Sequence, residues 1–214
     1  MPNSNNSFKK KAVRSLFLTF NKEEKTKDDI DNEILASGMK YIQMKLPVEK
    51  ITREFEAEIS SKIEHNVIQA KIREASSKDL EIVTEIYNKS WLTSRTPFRP
   101  IEKGTLKTIF QDQYTIFLVA RVYGIDSGFV ILDLEGSNKE HGIIAGLGII
   151  PRFQRKGLGT VLGMAAWNHF KKLGVKELRC EVYQDNEVSY NFISSIGFEE
   201  FGVKVYRSED FNLD

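Results

Sequence analysis

The chain has 214 residues, enough for one domain with an appendage, and its 41% hydrophobic and 29% charged content fits a globular protein with a core of its own. A net charge of +1 excludes a global electrostatic pull on nucleic acid or an anionic membrane. The single Cys180 excludes a disulfide within the chain, and no apolar run reaches the roughly 18 residues of a membrane span. With no secretory leader readable either, a reducing cytoplasm is the expected address.

Residues 8–20 hold no acid: Lys9, Lys10, Lys11 and Arg14 precede Leu16, Phe17, Leu18 and Phe20. The expectation is a tail that tucks against the main domain; the alternative is a membrane-surface or partner-binding helix. Residues 21–33 are almost wholly charged and polar, so 1–38 read as a basic and charged tail and linker, expected to be partly disordered. A short strand is expected over 39–46. Pro47 then stands where helices begin, and Val48, Ile51, Phe55, Ile59 and Ile63 form one stripe at spacings of three and four. Residues 39–66 are thus expected to be a strand and an amphipathic helix that pack on a core domain at 67–214.

From residue 67 the pattern alternates between strand and helix. A strand at 67–74 leads through Ser77, Lys78 and Asp79 into a helix with apolar Leu80, Ile82, Val83, Ile86 and Tyr87. A loop over 91–100 holds Pro97 and Pro100, and a second helix is read over 101–110. Strands follow at 115–122, 127–134 and 141–150, rich in β-branched and aromatic residues. A helix then runs to Leu173, where Gly174 suits a C-cap, and strand 177–183, helix 187–196 and strand 198–206 complete the order.

Between the strand ending at Ile150 and the next helix stands Gln154-Arg155-Lys156-Gly157-Leu158-Gly159. Glycines at a helix's first turn let the backbone adopt φ above zero and bring N–H groups close to an anion, and Arg155 and Lys156 add cationic donors. The spacing is neither the Gly-x-x-x-x-Gly-Lys-Ser/Thr nor the Gly-x-Gly-x-x-Gly cradle. His65, His141 and His169 are too scattered for a metal centre, and none is expected.

The order β-α-α-β-β-β-α-β-α-β, with Gly148-Ile149-Ile150-Pro151-Arg152-Phe153-Gln154-Arg155-Lys156-Gly157-Leu158-Gly159 and then Asn186 ahead of Gly197-Phe198, resembles the GNAT superfamily of acyl-CoA N-acyltransferases. The resemblance covers about residues 67–206. It implies an α/β fold with a mixed, mostly antiparallel sheet flanked by helices, and acetyl-CoA as co-substrate. By that likeness the main chain at Ile149 and Ile150 pairs with the pantetheine arm, as an added strand would. Gln154, Arg155, Lys156, Gly157, Leu158, Gly159 and Thr160 hold the diphosphate, and Asn186 touches the pantetheine. Asn186 also reads as an N-cap, and the two roles are compatible.

Glu181 resembles the strand glutamate that acts as general base in several members, with Glu140 and His141 in reserve. Seven positions after Asn186, where many members place the tyrosine that protonates the leaving thiolate, stands Ile193, so Tyr190 or a water is left for that step. Trp91, Arg95, Phe98 and Arg99 are the expected acceptor contacts. A second departure is the strand short at the C-terminal end: either 198–206 folds back around Gly202, or another element fills the place, for which the 39–46 strand and the 47–63 helix are expected to complete or buttress the domain. The resulting expectation is an acetyl-CoA-dependent N-acetyltransferase acting on a primary amine in a ternary complex. An α-amine of reference pKa about 8 is neutral more often than a lysine of about 10.4, which leans toward protein N-termini or small amino compounds. No nucleic acid is expected as partner, and a homodimer is an option. The alternative is a non-catalytic acyl-CoA-binding or scaffold protein, favoured by Ile193.

Overall fold

The computed structural model describes residues 38–65, 69–92, 101 and 103–206. In chain order they form β1 (Met39–Pro47), α1 (Arg53–Glu64), β2 (Ala70–Glu74), α2 (Leu80–Trp91), α3 (Lys103–Phe110), β3 (Ile116–Val122), β4 (Ile125–Glu135), β5 (His141–Ile149), α4 (Leu158–Leu173), β6 (Glu177–Tyr183), α5 (Glu187–Ser195) and β7 (Glu199–Tyr206). The tail expected over 1–37 and the acceptor residues Arg95, Phe98 and Arg99 lie outside the described residues.

Seven strands make one sheet in the order β2-β3-β4-β5-β6-β1-β7. All neighbours are antiparallel except β5 and β6, which run parallel. Strand period decides what each face meets. Along β6, Leu178, Cys180 and Val182 are buried with Leu162, Ala166, Trp167 and Phe170 of α4. The opposite face carries Phe117, Val119, Phe129 and Ile131 beneath Val83, Ile86 and Tyr87 of α2 and Leu106 and Ile109 of α3. Arg179, Glu181 and Tyr183 alternate with the buried residues of β6 and so belong to this second face.

The 39–46 strand exists and lies inside the sheet. It pairs with β6 from Tyr41↔Tyr183 to Pro47↔Glu177 and with β7 from Met39↔Tyr206 to Lys45↔Glu199. β7 is one continuous strand whose sheet neighbour is β1 alone, so the missing place is filled from the N-terminal side rather than by a fold at Gly202. The stripe on α1 is covered within the chain. Ile59 is buried, Val48 and Ile51 pack on the core, and the Glu56 carboxylate accepts from Trp167 Nε1 and Lys171 Nζ of α4, each at 2.6 Å. Thr52 caps α1 by accepting from the Phe55 N–H at 3.2 Å.

No helix among the described residues is long and apolar enough to cross a membrane. Met44 sits at the centre of β1 with no exposed surface, between two strands that both depend on it. Met44→Ala is therefore expected to lower the free energy of unfolding by about 2–5 kcal/mol, read from the denaturant midpoint at unchanged m-value. A loss under about 0.5 kcal/mol would place β1 outside the cooperative unit.

Candidate active site

β5 and β6 pair at His141↔Glu177, Gly142↔Leu178 and Ile143↔Arg179 and then part. Both continue, so a cavity of about 490 Å³ opens between them, lined by Ala145 and Leu147 on one side and Cys180 and Val182 on the other. A bulge where Ile131 and Leu132 of β4 face Gly146 and Ile144 leaves Ala145 out of register at the fork. Beyond it, Ile150 donates its N–H to Ser127 O at 3.0 Å. Strand alternation then turns the main-chain groups of Leu147 and Ile149 away from β4, toward the cavity. The Ile149 carbonyl accepts from Gln154 Nε2 at 2.8 Å. Ile149 is left with its N–H to offer a ligand, whereas Ile150, expected to share that role, has its carbonyl taken by the Phe153 N–H at 2.9 Å.

A 3-10 turn at Pro151–Phe153 leads into the basic turn. Gly157 adopts φ 78° and ψ 0° as N-cap of α4, a left-handed geometry that suits glycine. Arg155 adopts φ 55°, which costs a side-chain-bearing residue about 1–2 kcal/mol. Gly159 is absent from the residues with positive φ; its reason is contact, since a Cβ there would stand 3.1 Å from the Phe192 ring of α5. The first intrahelical bond runs from Val161 N–H to Gly157 O at 3.2 Å, so the N–H groups of Leu158, Gly159 and Thr160 point forward of the helix. No side chain caps this end and no acid stands in its first turn. A helix start of this kind presents about half a positive charge to an anion, with Arg155 and Lys156 exposed beside it. These features fit a diphosphate. Asn186 both caps α5, accepting from Ser189 N–H at 3.2 Å, and lines the cavity.

Glu181 faces the α2 side of the same cavity. Its Oε1 accepts from Gln43 Nε2 at 3.0 Å, and its Oε2 accepts from the Tyr206 hydroxyl. Neither donor was readable from the sequence, because both reach Glu181 through the placement of β1. Trp91 lines the wall, stacked on Tyr87 at 4.5 Å between ring centroids, and Asp133 and Glu135 of β4 line it too. Tyr41 completes this wall. It is 6% exposed, and its hydroxyl is buried with no hydrogen-bond partner among the described residues. Burial pushes that phenol well above its ordinary pKa.

Other expected residues are placed elsewhere. Tyr190 gives its hydroxyl to Glu200 Oε1 of β7 at 2.5 Å, and that bond raises its pKa; Ile193, not Tyr190, lines the cavity. His141 Nε2 accepts from Arg179 at 3.1 Å at the closed end of the fork, and Glu140 accepts from the Asn138 N–H at 2.8 Å to tie a turn. Cys180 is buried, and burial pushes its thiol up to about 12. Among the described residues no group of three or more His, Cys, Asp or Glu side chains could hold a metal ion.

A parallel pair that forks, with an anion-binding helix start on one side and a carboxylate on the other, defines an acyltransferase of the GNAT class. The chain belongs to that family: the model described as Acetyltransferase (GNAT) family matches residues 80–198. Among solved structures the chain is similar to the aminoglycoside enzyme AAC(6')-Iy in complex with a bisubstrate analogue, CoA-S-monomethyl-acetylneamine. Identity is 21%, with 65% of this chain and 98% of that one covered and a TM-score of 0.55. It is similar to the PaiA N-acetyltransferase of Thermoplasma acidophilum in complex with coenzyme A, at 22% identity, 64% and 99% coverage and a TM-score of 0.52. The ribosomal-protein-S18-alanine N-acetyltransferase of Escherichia coli gives 22% identity, 63% and 80% coverage and a TM-score of 0.53. At such identities the likeness is one of fold. No curated protein matches the sequence.

The Tyr41 hydroxyl generates a stability prediction. Tyr41→Phe removes a buried group that has no partner, so the unliganded protein is expected to gain about 1 kcal/mol in chemical denaturation. A loss of similar size would mean that the hydroxyl is hydrogen-bonded in solution.

Proposed function

We propose that this protein is an acetyl-CoA-dependent N-acetyltransferase that acetylates a primary amine by direct attack in a ternary complex. The reading rests on one observation. The forked strands open a single cavity that reaches Asn186 on the helix side and Glu181 on the other, with the Gln154–Thr160 turn following β5 after one 3-10 turn at Pro151–Phe153. Bound acetyl-CoA supplies an acyl carbon attached to a good leaving group. Gly157, Leu158, Gly159 and Thr160 offer main-chain N–H groups to its diphosphate, with Gln154, Arg155 and Lys156 at the rim. Leu147 and Ile149 would offer main-chain groups to its pantetheine arm, and Asn186, which lines the cavity, would touch it.

Glu181 takes the proton from the amine as the N–C bond forms and the C–S bond breaks. The Cys180 thiol stays protonated in its buried setting, which supports direct transfer over an acyl-enzyme. With Ile193 on the wall and the Tyr190 hydroxyl committed to Glu200, water provides the proton for the departing thiolate. The acceptor enters beside Trp91, where Asp133, Glu135 and Glu181 line the cavity and favour a cationic amine over a carboxylate-rich molecule. The named acceptors of the similar structures, an aminoglycoside and a ribosomal-protein alanine, are also amines. A protein N-terminus or a small amino compound fits this description. Arg95, Phe98 and Arg99 are proposed as further acceptor contacts.

The test is acceptor-dependent thiol release from acetyl-CoA over a panel of amines. Glu181→Gln is expected to lower turnover about 10²–10⁴-fold, while Tyr190→Phe leaves it nearly unchanged. Gly157→Val should remove measurable coenzyme A binding in calorimetry, because a β-branched residue cannot take the left-handed N-cap geometry. A second reading, a non-catalytic acyl-CoA-binding protein, is favoured by Ile193. It would gain if acetyl-CoA bound tightly and no amine released thiol.

A further inference from the structure

We propose that Gln43 is a positioning residue for the Glu181 carboxylate, so that β1, a strand outside the matched family region, completes the active site. The inference rests on the reading of Glu181 as the base. Gln43 stands directly opposite Glu181 in the β1–β6 register, and its Nε2 donates to Oε1 at 3.0 Å. The other carboxylate oxygen accepts from Tyr206, which β1 holds through Met39↔Tyr206. Each oxygen is thereby tied by one donor, and the carboxylate plane is fixed while lone pairs stay available for an amine proton.

An independent feature supports a seat built for this amide. Gly202 of β7 pairs with Gln43, and a Cβ added at Gly202 would fall 2.9 Å from Gln43 Oε1. The missing side chain makes room for the amide oxygen, which leaves the amide nitrogen facing the carboxylate. A methyl group there would push the end of a flexible side chain without striking the backbone, so the amide moves and the fold survives.

A neutral amide donates at every pH, and donation to a carboxylate favours its ionised form. Removing the donor therefore moves the pH at which the base becomes active upward. Other ionisable groups lining the cavity with Glu181 are Arg179, Cys180 and Tyr183 of β6, Tyr41 of β1, Asp133 and Glu135 of β4, and Tyr206 of β7. All of them remain in the variants below.

The experiment uses the full chain with Gln43→Met, Gln43→Glu and Gly202→Ala. It reads the pH dependence of kcat/KM in thiol release and, without turnover, the carboxyl-¹³C titration of Glu181. Gln43→Met and Gly202→Ala are expected to shift the acid limb and the ¹³C midpoint upward by about one pH unit, equivalent to one hydrogen bond to a charged group. Gln43→Glu should shift them further, because two adjacent carboxylates resist ionising together. The KM for acetyl-CoA should not change. Activity falling in step with thermal stability, with the limb and the ¹³C midpoint fixed, would reduce Gln43 to a structural residue and overturn the proposal. Should Gln43→Met fail to fold, Gly202→Ala carries the same test. If Glu181→Gln keeps full turnover, the base reading fails on its own, and the ¹³C titration still decides whether Gln43 governs that carboxylate.

Discussion

Past Ile143 and Arg179 the parallel ladder of β5 and β6 stops, although the strands run on to Ile149 and Tyr183. An interruption inside a seven-stranded sheet leaves main-chain donors and acceptors without the neighbour that every other interior strand supplies, and such groups are costly to bury unpaired. The bulge at Ala145 turns the chain at the fork, and Gln154 answers one exposed carbonyl, that of Ile149. The remaining edge is an opening shaped for something extended. The helix start, the acid and the aromatic wall are all arranged around that gap.

β1 bears on both sides of the problem. It holds β6 along seven residue pairs, so that Glu181 stands on a strand fixed from behind while its front edge is open. It also carries β7 and with it Tyr206. The helix that follows β1 is tied to α4 through Glu56, Trp167 and Lys171, which connects the same segment to the element that begins at the uncapped basic turn. A single stretch of chain therefore braces the acid and the anion site together. No family pattern confined to 80–198 contains it.

Much of this architecture was legible before any coordinates. The stripe on α2, the alternation on β6 and the glycine turn before α4 each follow a local period or a local backbone demand, and local rules are what a sequence displays. The sequence leaves open which face of β6 carries Glu181, and the burial of Leu178, Cys180 and Val182 decides it. That the 39–46 strand fills the open place in the sheet is one of two expectations, but its seat between β6 and β7 could not be read. It buries Met39 and Tyr41 on one face near its start and Met44 and Leu46 on the other near its end, so it shows no simple amphipathic signature. Its partners are also remote, with Gln43 and Glu181 separated by 138 positions. Tyr190 shows a subtler limit: spacing put it one turn from Ile193, yet only the packing of α5 decides that Ser189, Phe192 and Ile193 meet the cavity while the phenol turns to β7. Gly159 was expected to serve the turn and instead lets Phe192 approach.

The long gap between β1 and its partners also bears on biosynthesis. A ribosome adding roughly 5–20 residues per second needs on the order of ten seconds to travel from Gln43 to Glu181. For that interval the earliest strand of the sheet waits with both hydrogen-bonding edges open, beside nascent hydrophobic helices. Such a segment is a natural client for a chaperone that binds short apolar peptides, and a protein of this connectivity should refold more slowly alone than it matures in the cell.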